Sequence, residues 1–241
     1  MKVSVVVPAF NEERLLAGSL AAIRGAMRAF DEAGWAHELI VCDNNSSDRT
    51  AEIARAAGAA VVFEPVNQIA RARNAGAARA SGDWLVFVDA DSYPNIDLFK
   101  EVVDAIQRGR CLGGGATVAF ETRDLVVRLA LAFWNALSRT RRWAAGSFIF
   151  CEAAAFGALG GFSEALYAGE EIDFSRRLKR LARSRGLGVV ILHRHPLRTS
   201  DRKARLYTKR EHFAFMLKTL LAGGRTLRDR DACHVWYDGR R

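Results

Sequence analysis

Three short, nearly unbroken apolar runs punctuate the first quarter of the chain. Val3-Ser4-Val5-Val6-Val7 stops at Pro8, Glu38-Leu39-Ile40-Val41-Cys42 stops at Asp43, and Ala59-Ala60-Val61-Val62-Phe63 stops at Glu64. Runs this short and this continuous predict strands buried on both faces of a parallel sheet. Between and after them, stretches rich in Ala and Arg at about 12 to 34, 48 to 57 and 67 to 81 carry helical patterns. A fourth run, Trp84-Leu85-Val86-Phe87-Val88, closes on Asp89-Ala90-Asp91. Strands alternating with helices predict an α/β fold with a doubly wound, mostly parallel sheet flanked by helices. Ligands of such sheets bind beyond the carboxyl ends of the strands, where Asn11, Glu12, Asp43, Asn44, Asn45 and Asp91 all fall.

Asp89 and Asp91 change that picture from fold to chemistry. Strand alternation would point both acids to one side. An oxygen-rich pair of this kind suits Mg2+ or Mn2+, with positions left for the phosphates of a substrate. Two solvated turn acids are the competing reading.

Composition narrows the setting. With 241 residues, half of them apolar, the chain is long enough for one domain with a full core. Three parts are expected within it: residues 1–110, residues 111–200 and a basic helical C-terminal extension (201–241). A strand begins within three residues of the start with no charged-then-apolar leader, and four cysteines without a C-x-x-C pair fit a reduced, cytoplasmic compartment. Residues 1–100 carry 10 basic and 13 acidic side chains, so the net +9 leaves +12 for residues 101–241. From Arg176 to Arg210 there are 13 basic residues against Asp201 alone. A solvated helix face and a contact with phosphates or anionic lipid both fit. Nucleic acid fits less well, because stacking aromatics are not interleaved. The apolar stretch Leu125 to Leu137, interrupted by Arg128 and Asn135, is too short to span a bilayer. Followed by Arg139, Arg141, Arg142 and Trp143, it reads either as a buried core helix or as a peripheral contact with the inner membrane face.

Four segments in order resemble the signatures of family 2 glycosyltransferases with the GT-A fold: Val-Pro-Ala-Phe-Asn-Glu (7–12), Asp-Asn-Asn-Ser-Ser-Asp-Arg-Thr (43–50), Ala-Arg-Asn-Ala-Gly (72–76) and Val-Asp-Ala-Asp (88–91). The likeness extends to Leu-Gly-Gly-Phe (159–162) and Gly-Glu-Glu-Ile-Asp-Phe (169–174). It implies transfer of a sugar, with inversion, from a UDP- or GDP-sugar to a sugar, lipid-linked or polyprenyl-phosphate acceptor. It also implies donor contacts from Pro8, Ala9, Asn11, Glu12, Asp43, Arg73, Asp89 and Ala90, and a Mn2+ or Mg2+ ion on Asp91 with Asp89.

The residues themselves leave several roles open. Asp89 can ligate the metal or bond the ribose. Arg71 and Arg73 cannot share one helix face; Arg73 suits a diphosphate by its fork geometry, and a solvent-facing arginine is the alternative. Ser46, Ser47 and Asp48 read first as a turn and helix cap. Glu170 and Glu171 open a helix running to about Arg185, where the macrodipole favours carboxylates. By register with the family Glu171 takes the place of the base, with Glu170 the other candidate and ordinary capping a third reading. Gly160 and Gly161 would form the turn before it. His193 and His195, at a strand end, include a possible metal ligand, His195, as in some relatives, or else belong to a basic turn that continues through Ser200, Arg202 and Lys203. Two other functions fit an acidic α/β site: a nucleotidyltransferase, although Pro8 to Arg14 has no glycine-rich loop, and a sugar-nucleotide-binding module without transfer.

Overall fold

The computed structural model describes residues 1–120, 122, 124–200, 225–233 and 237. In chain order its elements are β1 (Lys2–Ala9), α1 (Leu16–Glu32), β2 (Ala36–Asp43), α2 (Thr50–Ala56), β3 (Ala60–Phe63), α3 (Ile69–Arg79), β4 (Trp84–Val88), β5 (Ser92–Tyr93), α4 (Ile96–Gln107), β6 (Cys111–Phe120), α5 (Leu125–Arg141), β7 (Phe148–Glu152), α6 (Ala153–Ala158), α7 (Glu170–Ser184) and β8 (Gly188–Thr199). One sheet runs β3-β2-β1-β4-β7-β6-β8-β5. The first four strands pair in parallel, as do β6 and β8, whereas β7 is antiparallel to both β4 and β6. The sheet is therefore mixed and mostly parallel, and it crosses the boundary expected at residue 110.

Alternation along the central strands splits the core between two faces. Val3, Val5 and Val7 of β1 pack with Leu20, Ile23 and Phe30 of α1 and Phe99 of α4. Val6 and Phe87 face the other way, onto Phe156, Phe162 and Phe174. Each fully buried side chain of this kind contributes about 1.5–3 kcal/mol through its removal from water. Gly76 lets α3 lie directly on β1, since a Cβ there would come within 2.4 Å of Val6. Asn74 beside it ties α3 to the chain before α7, its amide bonding both N–H and C=O of Phe162 at 2.9 Å.

Several local expectations change. Residues 11–15 are loop, and α1 begins only at Leu16. β3 is an edge strand with Phe63 60% exposed, so it is not buried on both faces. Asp89 to Asp91 form a turn beyond β4, closed by Ser92 N–H donating to the Asp89 carbonyl, so the turn rather than strand alternation aims the acids. β8 continues past His193 and Pro196 to Thr199, through a register shift opposite Ala116 to Val118 where proline is tolerated. α5 is not a core helix: Ser138 is its one buried residue. No helix among the described residues is long and apolar enough to cross a membrane. Arg202, Lys203 and most of the expected C-terminal extension lie outside the described residues.

Candidate active site

The loops after β1 and β2 are laced together at the carboxyl end of the sheet. Asn11 adopts a left-handed φ of 51°, which asparagine tolerates, and its side-chain oxygen accepts from Ser47 N–H at 2.8 Å. The buried Asp43 accepts from Ser46 N–H at 3.1 Å. Asn44 joins β3 to the start of α3, donating to the carbonyls of Glu64 and Val66 and accepting from Gln68 N–H. Asp48 takes the capping role, accepting from Thr50 and Glu13 N–H. Burial opposes its charge, but the bonds from Thr50 and Glu13 outweigh that and hold its carboxyl below the usual range. Glu12 is buried and its N–H donates to Thr50 Oγ1 at 2.8 Å.

Inside this rim lies a cavity of about 70 Å³, lined among others by Pro8, Ala9, Glu12, Asn44, Asp89, Ala90, Asp91 and Tyr237. Asp43, at the end of β2, and Asn11, in the loop after β1, lie outside its lining. Both acids of the D-x-D turn face this one cavity, which suits a divalent ion shared with substrate phosphates. Thr199 Oγ1 sits 3.5 Å from Asp91 Oδ1, and Ser200 N–H donates to the Asp91 carbonyl, so the end of β8 holds the turn in place. No group of three or more His, Cys, Asp or Glu side chains among the described residues forms a metal cage, so a cation here would complete its coordination with substrate oxygens or water.

A second cavity of about 190 Å³ adjoins on the far side of Asp89, walled by Arg73, Gly146, Ser147, Tyr167, Glu170 and Glu171. Arg73 is its hub. Its side chain is only 2% exposed, so the solvent-facing reading fails. Nη1 donates to Glu170 Oε1 at 2.7 Å, and Nη2 to Asp89 Oδ1 at 3.1 Å and the Gly146 carbonyl at 2.8 Å. The guanidinium also lies 5.2 Å from the centre of the Phe162 ring. Nε is buried with no hydrogen-bond partner. Burial opposes the guanidinium's charge, yet Asp89, Glu170 and Glu171 together raise its pKa. Arg71, by contrast, is spent on Glu64 and Glu164 near the surface.

One guanidinium cannot neutralise three carboxylates. Glu170 holds the shorter bond to Arg73; burial still drives its carboxyl upward, opposed by that contact. Glu171 has no such bond. Burial, and then the charge of Glu170, push its carboxyl up to about 8. The first turn of α7 is aimed at the cavity by glycines at positive φ, Gly160, Gly161 and Gly169. Arg177 braces that turn, donating to the carbonyls of Leu159 and Gly161 while pairing with Asp173.

His195 contacts α4. It lies within β8, and both its N–H and its Nδ1 meet Glu101 of α4 at 2.9 Å. Thr199, four residues further along the extended strand, is the residue that reaches Asp91. In this structure His195 thus makes a strand-to-helix contact. Two tyrosines escaped the sequence reading. Tyr237 lines the first cavity, accepts from Ile69 N–H at 3.3 Å and meets Tyr167 edge-on. Nothing local to position 237 signals this; separately, the Leu227 carbonyl accepts from Tyr167 and Ala168 N–H.

Comparison with known proteins gives the arrangement its context. The family described as Glycosyl transferase family 2 matches residues 4–162. The chain is 35% identical over 113 residues, 47% of each chain, to an uncharacterised glycosyltransferase of Mycobacterium tuberculosis. It is 31% identical over 124 residues to the dolichol-phosphate mannosyltransferase of Pyrococcus furiosus, covering 48% of this chain and 33% of that one. The chain thus matches at most about half the length of these relatives. Among solved structures, the mannosyltransferase PcManGT from Pyrobaculum calidifontis in complex with GDP-Man and Mn2+ superposes with a TM-score of 0.66 at 20% identity, over 96% of this chain and 64% of that one. That likeness bears out the expected GT-A type of α/β fold.

Proposed function

The chain belongs to glycosyl transferase family 2, and on that premise we propose that it moves a sugar, with inversion, from a UDP- or GDP-sugar to an acceptor hydroxyl or phosphate. The reading rests above all on the placement of Glu171, which faces a cavity that shares Asp89 with the donor-side cavity, and where burial and then Glu170 push its carboxyl up to about 8. A general base works best with a pKa near the operating pH.

In this reading residues 1–110 hold the donor. Asp43, Asn11 and Glu12 frame base and ribose, while Pro8, Ala9 and Ala90 shape the floor. Asp91 with Asp89 would hold Mn2+ or Mg2+, which supplies charge neutralisation for the departing diphosphate. Arg73 keeps Asp89 and Glu170 in place from beneath rather than standing open to the donor. From the acceptor side, Glu171 takes the hydroxyl proton as the acceptor oxygen bonds to the anomeric carbon, and the breaking bond's electrons leave on the diphosphate. Glu170 positions Arg73, which splits the roles left open between the two glutamates. The dolichol-phosphate relative and the apolar outer face of α5 support a lipid-linked acceptor met at the cytoplasmic membrane face.

Nucleoside diphosphate release from a panel of UDP- and GDP-sugars with Mn2+ or Mg2+ tests the reading. Pyrophosphate release would indicate nucleotidyl transfer instead, and binding without release a non-catalytic module. Asp91→Ala should lower transfer by roughly 10²-fold or more with far-UV circular dichroism unchanged. Wild-type turnover by that variant would remove the metal assignment.

A further inference from the structure

α5 turns its apolar side outward. Leu125, Leu129 and Phe133, one turn apart, are 63%, 62% and 72% exposed, with Val126 beside them at 57%. The helix cannot roll to hide them. Leu131 and Trp134 already pack on the core from the opposite side, and Asn135 brackets Val118, accepting from its N–H at 3.1 Å and donating to its carbonyl at 2.9 Å.

Positive charge collects where this face ends. A groove of about 500 Å³ between α4, β8 and the end of α5 has Val190 in its floor and Arg108, Arg110, Arg139, Arg142 and Arg194 around it. Two acids also line it, but Glu101 is bonded to His195 and Asp104 lies 3.8 Å from Arg108. Beside the groove, Lys179 donates to the Arg141 carbonyl. Burial, and then Arg183, Arg142, Arg141 and Arg176, lower its pKa, as expected where cations crowd without counter-charge. Arg142 itself caps α5 in a left-handed conformation at φ 53°, which costs a side-chain-bearing residue about 1 kcal/mol or more.

We infer that the outer face of α5 and the arginine groove at its end form one docking surface for an anionic lipid bilayer. Leu125, Leu129 and Phe133 would enter the acyl boundary while Arg139 and Arg142 meet lipid phosphates, the division of labour of an interfacial helix. Charge argues against a second copy as occupant, since a two-fold contact would set the arginines of one copy against those of the other. Nucleic acid would engage the arginines but leave Leu125, Val126 and Leu129 in water. The surface deepens the lipid-acceptor reading above, but binding can be measured without any transfer.

The test is flotation of the whole protein with phosphatidylcholine vesicles, with and without phosphatidylglycerol. Binding is expected only with the anionic lipid and should be lost at high salt. Leu129→Ser with Phe133→Ser, which leaves charge unchanged, and Arg139→Gln with Arg142→Gln should each lower the bound-to-free ratio by about tenfold or more. Because all four side chains are exposed, circular dichroism and donor hydrolysis should remain at wild-type level, so that a fall in vesicle binding reports the surface and not the fold. No binding at low salt, equal binding to neutral vesicles, or wild-type binding by both double variants would overturn the inference. So would arginine-dependent binding of inorganic phosphate without vesicle binding.

Discussion

The two sides of the cleft are stabilised by opposite means. On the donor side, Asn11, Asp43, Asn44 and Asp48 are engaged by backbone N–H groups and carbonyls, so the loops are fixed locally before any ligand arrives. On the acceptor side, one guanidinium serves Asp89 and Glu170 and leaves Glu171 without a bond to it. The first arrangement gives shape. The second crowds carboxylates around one cation, and burial and then Glu170 push the Glu171 carboxyl up to about 8. In the proposed reading the first suits donor binding and the second proton transfer.

The contrast breaks most severely at Arg73. Arg73→Met should destabilise the fold by about 3–5 kcal/mol, because buried Glu170 and half-buried Asp89 lose their cation. Thermal unfolding would measure it, and a midpoint within a degree or two of wild type would dissolve the hub. Next comes Glu171→Gln, which keeps the shape and removes the base: transfer to a hydroxyl acceptor should fall roughly 10²-fold, about 2.7 kcal/mol in barrier, with donor affinity unchanged. A phosphate acceptor, already ionised, has no proton to give, so near-normal transfer by the same variant would identify that acceptor class. Glu171→Gln also carries a stability signature. Between the ordinary 4.5 and about 8, folded Glu171 holds a proton that the unfolded chain has released. Stability contributed by this group therefore falls as pH rises through that window, and the variant should flatten the dependence. The smallest effect belongs to the donor side. Asn44→Ala leaves the Gln68 N–H and two carbonyls unpaired and should cost about 2 kcal/mol of stability, without shifting the pH optimum.

Much of the donor side was legible because its residues are adjacent in sequence to the strands that present them. Apolar runs end at Pro8, Asp43 and Val88, and turn or capping types follow at once. The cluster around Arg73 was not, since its partners lie 16 and 97 residues away and only packing joins them. The same holds for Tyr237, whose partner Ile69 lies 168 residues away. His195 misled because a short apolar run was read as a whole strand; Pro196 suggested an end, whereas a register shift carries β8 onward to Thr199. α5 showed both its apolar stretch and its arginines, but periodicity alone could not say which side faces the core.

The central claim, that the crowded acceptor side holds Glu171 as a base with a pKa near neutrality, meets its most direct test in the pH dependence of kcat/KM with a hydroxyl acceptor. The account predicts a rate that climbs with an apparent pKa near 8 in the wild type and stays low and flat in Glu171→Gln. A wild-type profile already level from pH 6 upward, or a variant that climbs with it, would contradict the claim.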